Sequence, residues 1–150
     1  MQFRKLNRDG AENVFRTVLN VEGATITTGL PVSITPTAAS MDGVSAVIAN
    51  AAADYLGFIG FAKQDIANND YGLIQTNGLV NSILLSNAGT SITITAADGL
   101  LPAPAGMYSA NVAAVYSGNG GYLYNFKRVS AVDTATVSAA GYIRGLIAVL

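Results

Sequence analysis

The sequence predicts an all-β fold, either a compact β-barrel or a β-tulip or sandwich-like domain of antiparallel hairpins, with an extended N-terminal arm. Short runs of alternating apolar and polar residues recur along the chain. Turn signals separate these runs at the spacing of about 8–12 residues that is typical of sandwiches and barrels. Charge density falls after the first twenty residues. We therefore divide the chain into an arm, residues 1–20, and a single β domain, residues 21–150.

Two segments in the first half of the β domain are predicted to be strands, residues 30–35 and residues 56–62. Between them, residues 44–55 are compatible with helix or strand, because their alanines favour helix whereas their valines and isoleucine favour strand. After the second strand, Asp65 is expected to cap a short helical turn, and Asn69-Asp70 is expected to start the next strand.

A β-hairpin is predicted around Asn77-Gly78, the strongest local signal in the chain. Asn-Gly supplies the two positive-φ positions of a type I′ turn, so residues 71–76 and residues 79–85 are expected to pair. A further strand is expected where Ile92 and Ile94 alternate with threonines.

The last third of the chain is predicted to hold one loop and three strands. Residues 100–106 contain two prolines, which cannot donate to a β-ladder, and are predicted to be the loop. Residues 111–116 and residues 122–129 are expected to pair across a glycine-rich turn. The apolar run at residues 142–150 is expected to be a strand inside the sheet or an interface, because chain ends fray unless they are tied down.

One face of the strand predicted at residues 122–129 is aromatic, because alternate residues of a strand share a face. Its aromatic side chains, with one from the neighbouring strand, are expected to pack in the core or between subunits, and they could also stack on a glycan. These candidates are Tyr116, Tyr122, Tyr124 and Phe126.

The chain has few charges for its apolar content: charged residues make up 11% of it and apolar residues 51%. A small protein with so weakly charged a surface tends to associate, so we expect a homo-oligomer rather than a monomer surfaced with neutral polar residues. A net charge of −1 lacks the basic footprint that nucleic acid requires. No membrane partner is expected either, because the most apolar window, residues 44–62, is interrupted by Asn50, Asp54 and two glycines.

The charges are concentrated at the N-terminus. The first sixteen residues hold four basic and two acidic side chains, a net +2, which leaves −3 for the rest of a chain whose net charge is −1. This basic segment also holds two phenylalanines, so we expect it to bind an acidic partner surface with apolar pockets. The candidate binding residues are Phe3, Arg4, Lys5, Arg8, Phe15 and Arg16.

The sequence does not predict an enzyme. It contains no histidine and no cysteine, which removes the commonest general base, the thiol nucleophile and most transition-metal ligands. Residues 65–72 form the only local cluster of oxygen ligands, but their spacing differs from that of an EF-hand, so we expect a structural role for them. No catalytic residue, metal site or cofactor is therefore expected. A small hydrolase that uses carboxylates is the remaining enzymatic alternative.

Three segments, residues 57–78, residues 92–101 and Ala105-Gly106, resemble a pattern of small phage capsid decoration proteins. In that pattern a Gly-bounded strand precedes a short acidic turn, a G-x-(V/I)-Q-x-x-G step, an I-x-x-G-(D)-x-L step and a later glycine. The resemblance covers about a third of the chain.

The resemblance implies a β-barrel or β-tulip cement protein on the outside of an icosahedral head, often a homotrimer. Its partner would be the major capsid protein, which an N-terminal arm typically grips. The protein would lie on the virion exterior, and in the host cytoplasm during assembly. A glycan-binding or head-fibre adhesion module of a virion is the alternative.

Overall fold

The computed structural model describes residues 13–35, 43–50, 57–85, 92–96, 100–103, 106–109, 127–137 and 141–149. Eleven strands and no helix lie within these ranges. The predicted all-β fold is therefore confirmed. The strands are β1 Val14–Asn20, β2 Pro31–Ile34, β3 Ser45–Ile48, β4 Phe58–Ala62, β5 Tyr71–Leu85, β6 Ile92–Ile94, β7 Leu100–Ala103, β8 Gly106–Ser109, β9 Lys127–Ala131, β10 Ala135–Val137 and β11 Gly141–Val149.

Five of these strands close a β-barrel in the order β1-β3-β2-β4-β5, with β5 pairing back to β1. The β1–β3 pair is parallel and the other four pairs are antiparallel. Closure leaves no free edge among these strands where they pair. The barrel interior is filled by buried apolar side chains, namely Val18, Ile26, Leu30, Val32, Ala46, Ala62, Ile66 and Ile74.

Strand β5 joins the barrel to the rest of the fold. Its first half pairs with β1 and β4, and its second half pairs with β11. The hairpin predicted at Asn77-Gly78 is wrong, because these residues lie inside one continuous strand of 15 residues. A type I′ turn needs positive φ at both positions, whereas only Gly78 has it, at 93°.

A second hydrophobic core lies between the barrel wall and a further layer of strands. In that layer β11 pairs with β5 on one side and β9 on the other, which confirms a C-terminal strand inside the sheet. Phe58 and Phe61 of β4 pack edge to face, with ring centroids 5.5 Å apart. The second core comprises Ala49, Phe58, Phe61, Val80, Ile83, Leu85, Ile94, Leu100, Ala131, Ile143 and Ile147.

Two segments that the sequence does not predict as strands do contain strands, residues 44–55 and residues 100–106. The ambiguous residues 44–55 contribute β3. The loop predicted at residues 100–106 is wrong, because β7 and β8 form an antiparallel pair there, with Pro102 opposite Met107. Strand β7 pairs only with β8 among the described strands. An edge strand tolerates proline because one of its sides needs no backbone donor.

The end of the barrel is closed by two segments with the same backbone course. Ile26 and Ile66 form an antiparallel bridge, with N···O distances of 3.0 and 2.9 Å. A turn with one residue at positive φ follows each bridge, Gly29 at 85° in the first and Asn69 at 63° in the second. The first turn leads into β2 and the second into β5. The fold therefore contains the same unit twice, a bridge followed by a turn and a strand.

Asn20, the last residue of β1, is completely buried at this end of the barrel. Its Nδ2 donates to the carbonyls of Ala24 and Ile66, both at 2.8 Å, and its Oδ1 accepts from the backbone N–H of Glu22 at 2.8 Å. A buried amide is stable only when its polar atoms are paired. Asn20 therefore fixes the loop that contains Ala24 and the loop that contains Ile66 against the barrel.

Candidate docking surface

The structure describes only part of the predicted binding set. Phe15 and Arg16 lie in β1. The sequence assigned residues 14–20 to the N-terminal arm, whereas in the structure they form a strand of the closed barrel. The other candidates lie outside the described residues, and they are Phe3, Arg4, Lys5, Arg8, Tyr116, Tyr122, Tyr124 and Phe126.

An apolar surface lies on the outside of the barrel where β1 pairs with β5. Thr17 is opposite Leu73 and Leu19 is opposite Tyr71, while Val18 between them is buried inside the barrel. Tyr71 is 65% exposed, Phe15 45% and Leu73 40%. We call Phe15, Tyr71 and Leu73 the outer barrel face. Isolated exposed apolar residues are ordinary, but neighbours on adjacent strands form a contact surface.

Positive charge borders the outer barrel face. The backbone N–H of Lys63 donates to the Leu73 carbonyl at 2.9 Å, so Lys63 is the neighbour of Leu73 on the side away from β1, and it is exposed. Arg16 follows Phe15 in β1 but lies opposite Ile74 of the barrel interior, so its side chain leaves the strand on the other side, and its guanidinium donates to the carbonyl of Gly43. Lys63 is therefore the cation beside this apolar face, an arrangement that suits an acidic partner with apolar pockets.

The start of β1 is anchored beside this face. Asn13 Oδ1 accepts a hydrogen bond from Gln75 Nε2 at 3.0 Å, and Gln75 is opposite Phe15 in the β1–β5 ladder. Gln75 is buried, so the position of Asn13 is set by the interior of the fold. The basic segment that precedes Asn13 in the chain is therefore joined to the barrel next to Phe15.

Two acidic residues, Asp65 and Glu22, accept hydrogen bonds from backbone N–H groups that are distant in the sequence. Asp65 Oδ1 accepts from the backbone N–H and the hydroxyl of Thr28, at 2.7 and 2.9 Å, and the bond from the N–H is the main cause that lowers the Asp65 pKa. Glu22 Oε2 accepts from the N–H of Ile48 at 2.9 Å. The helical turn predicted after Asp65 is wrong, because a bend, a bridge and a turn occupy residues 63–69.

In the described part of the chain, no three acidic side chains lie close enough together to hold a metal ion. We expect excess EDTA to leave the melting temperature unchanged, because the Asp65 carboxylate is already bonded to Thr28. Thermal unfolding followed by circular dichroism measures this. A fall of many degrees in EDTA, reversed by calcium, would instead make residues 65–70 a calcium site.

No helix among the described residues is long and apolar enough to cross a membrane.

No protein-family model matches the chain, and no curated protein matches it either. The outer barrel face and the basic segment joined to it are therefore interpreted from their own chemistry.

Proposed function

We propose that this protein is a structural virion protein that binds the outside of a phage capsid and cements neighbouring capsomers. The observation that supports the proposal best is the outer barrel face, a set of exposed apolar side chains held on a closed barrel beside the junction with a basic segment. Its partner is the major capsid protein. The protein acts on the virion exterior after assembly in the host cytoplasm, and it acts by binding rather than catalysis.

Rigid strands make this face suitable for docking. Tyr71 and Leu73 lie on a strand that is paired on both sides, so little backbone freedom is lost when they enter a partner's pockets. Aromatic side chains in such pockets commonly dominate binding energy. Lys63 and the basic segment that precedes Asn13 accelerate the encounter with an acidic surface and set its orientation.

Stabilisation of the shell follows from linkage. A protein that binds the assembled shell but not the separated capsomers lowers the free energy of the assembled state, by an amount that grows with its concentration relative to the dissociation constant. No covalent bond and no bound metal is needed for this effect. Self-association, which the sequence predicts as a homotrimer, would increase it through multivalent attachment.

The first test replaces the exposed side chains of the outer barrel face. We expect Tyr71→Ser combined with Leu73→Ser to weaken binding to empty shells about tenfold or more, the effect of losing roughly 1.4 kcal/mol or more of contact energy. Co-sedimentation with shells assembled from the major capsid protein of the same genome measures it.

Val21→Ser is the control, because Val21 is 37% exposed, compared with 40% for Leu73, and lies outside both strands of the outer barrel face. Equal shell binding by the double variant and the wild type would contradict docking through this face. If neither protein bound shells but both bound glycans, the head-fibre alternative would be favoured.

The second test concerns the basic segment. We expect Arg4→Gln, Lys5→Gln and Arg8→Gln together to weaken shell binding and to flatten its dependence on salt, because fewer charge pairs remain to be screened. Deleting residues 1–12 should weaken binding further while the fold remains, since β1 begins at Val14. A deletion variant that decorates shells as well as the full chain would show that this segment is not part of the docking site.

A further inference from the structure

A second apolar surface lies on the outward side of β11. Tyr142 is 61% exposed and Leu146 is 39% exposed. They alternate along the strand with the buried Ile143 and Ile147. Val132 donates its backbone N–H to the Arg144 carbonyl at 2.9 Å. It therefore lies across from Arg144, which is between Tyr142 and Leu146 in β11. Val132 is also exposed.

An ion pair lies in the middle of this surface. The Arg144 guanidinium donates to both oxygens of Asp133, with Nη2···Oδ1 at 2.5 Å and Nε···Oδ2 at 2.9 Å. The hydrogen bond from Arg144 is the main cause that lowers the pKa of Asp133. Bidentate geometry fixes both side chains in one plane. We call Val132, Asp133, Tyr142, Arg144 and Leu146 the β11 face.

The charges of the β11 face indicate what covers it. Its five named residues carry one cation and one anion, paired with each other, so they are complementary to a surface with the same two charges in the opposite order. A second copy of the face provides that surface when it is turned by half a revolution. The outer barrel face differs, because the cation Lys63 lies beside Leu73 and the segment joined to this face is basic.

We propose that the β11 face binds the β11 face of a second copy of this chain. The apolar side chains of the two copies pack together, and each Arg144 approaches the Asp133 of its neighbour. A face-to-face contact of this kind is isologous and joins two copies. The homotrimer predicted from the sequence would therefore require another surface. The contact forms between free molecules, so it does not depend on binding to a capsid.

Charge reversal tests the proposal directly. Asp133→Arg gives a face with two cations, and Arg144→Asp gives a face with two anions. Each variant alone should dissociate about tenfold or more readily than the wild type, because like charges meet in the contact. An equimolar mixture should associate again, since the two faces are then opposite in charge. Analytical ultracentrifugation across micromolar concentrations measures the mass in each case.

A second pair of variants tests the apolar part. Leu146→Ser should weaken self-association, whereas Leu73→Ser, at nearly the same exposure on the barrel, should leave it unchanged. Circular dichroism confirms that each variant is folded. A wild-type monomer throughout the concentration range would overturn the proposal. So would self-association that Leu146→Ser leaves intact, or failure of the charge-reversed variants to associate when mixed.

Discussion

Gly60→Ala is expected to abolish the native fold. A Cβ atom at residue 60 would lie 2.0 Å from the carbonyl oxygen of Gln75 and 2.8 Å from its carbonyl carbon. Both are backbone atoms of the neighbouring strand β5, so no change of side-chain rotamer relieves the clash. Strands β4 and β5 must separate, which opens the barrel.

The damage extends to both cores, because β4 forms the wall between them. Ala62 packs in the barrel interior while Phe58 and Phe61 pack in the second core. We expect a loss of stability of more than about 4 kcal/mol, at the upper end of what single substitutions cause. Urea unfolding, or the yield of soluble protein where folding fails, measures the effect.

Gly23→Ala is the control for a glycine with space around it. A Cβ atom at residue 23 meets nothing within 4 Å, although its φ of +87° is unfavourable for alanine. The cost should be limited to about 1–2 kcal/mol of backbone strain. If Gly60→Ala melted within a few degrees of Gly23→Ala, the close approach of β4 and β5 would be disproved.

The sequence predicts those strands whose pattern is local. Residues 56–62, the Ile-Thr alternation around Ile92 and the apolar C-terminal run all become strands, because period-two alternation or a continuous apolar run matches burial on one or both faces. The order of the strands is not local. Barrel closure depends on Leu19 meeting both Ser45 and Tyr71, which no short window of sequence specifies.

The failure at Asn77-Gly78 has a physical cause. Asn-Gly favours a turn when nothing else binds the surrounding backbone, but here Gln75 Nε2 donates to the carbonyls of both Asn77 and Leu79. The side chain thus holds the chain as one bent strand. Tertiary contacts overrode a strong local preference.

The structure describes two of the predicted binding residues. Phe15 and Arg16 were chosen by residue type, and both are exposed in the first half of β1. Tyr71 and Leu73 were missed as surface residues, because they were assigned to a hairpin without a known outward side. Their alternation with the buried Gly72 and Ile74 is the signal that could have identified them. The repeated unit at Ile26 and Ile66 was also missed, since its two copies share a backbone course rather than a side-chain pattern.

Gln75→Glu is expected to destabilise the fold in a manner that depends on pH. Gln75 is buried, and its Nε2 donates to three oxygens: Asn13 Oδ1 at 3.0 Å, the Asn77 carbonyl at 3.2 Å and the Leu79 carbonyl at 2.9 Å. An ionised carboxylate at this position has no proton to donate and repels all three acceptors. Burying an unpaired charge costs several kcal/mol, so at pH 7 the variant should be largely unfolded or much less stable than the wild type.

The sign of the pH dependence follows from the site. Burial among acceptors disfavours the ionised form, so the pKa of the introduced carboxyl is raised in the folded state above its unfolded value of about 4.3. The folded state then binds more protons than the unfolded state between these two pKa values, and stability falls as pH rises through this window. Below about pH 4 the neutral acid can donate its O–H to one carbonyl, and most of the loss should be recovered.

Gln75→Met separates the charge from the lost hydrogen bonds. The methionine side chain has a similar length but no hydrogen-bond donor. The substitution should therefore lower the free energy of unfolding by about 1–3 kcal/mol for each acceptor left unpaired in the interior, at every pH. Urea unfolding of the wild type and both variants at about pH 4 and pH 7 measures the comparison. We expect the glutamate variant to be the less stable of the two at pH 7 and the more stable at pH 4. The loss of unfolding free energy in the glutamate variant, relative to the wild type, could instead be the same at both pH values. That result would mean that residue 75 does not hold the bend of β5 from the interior.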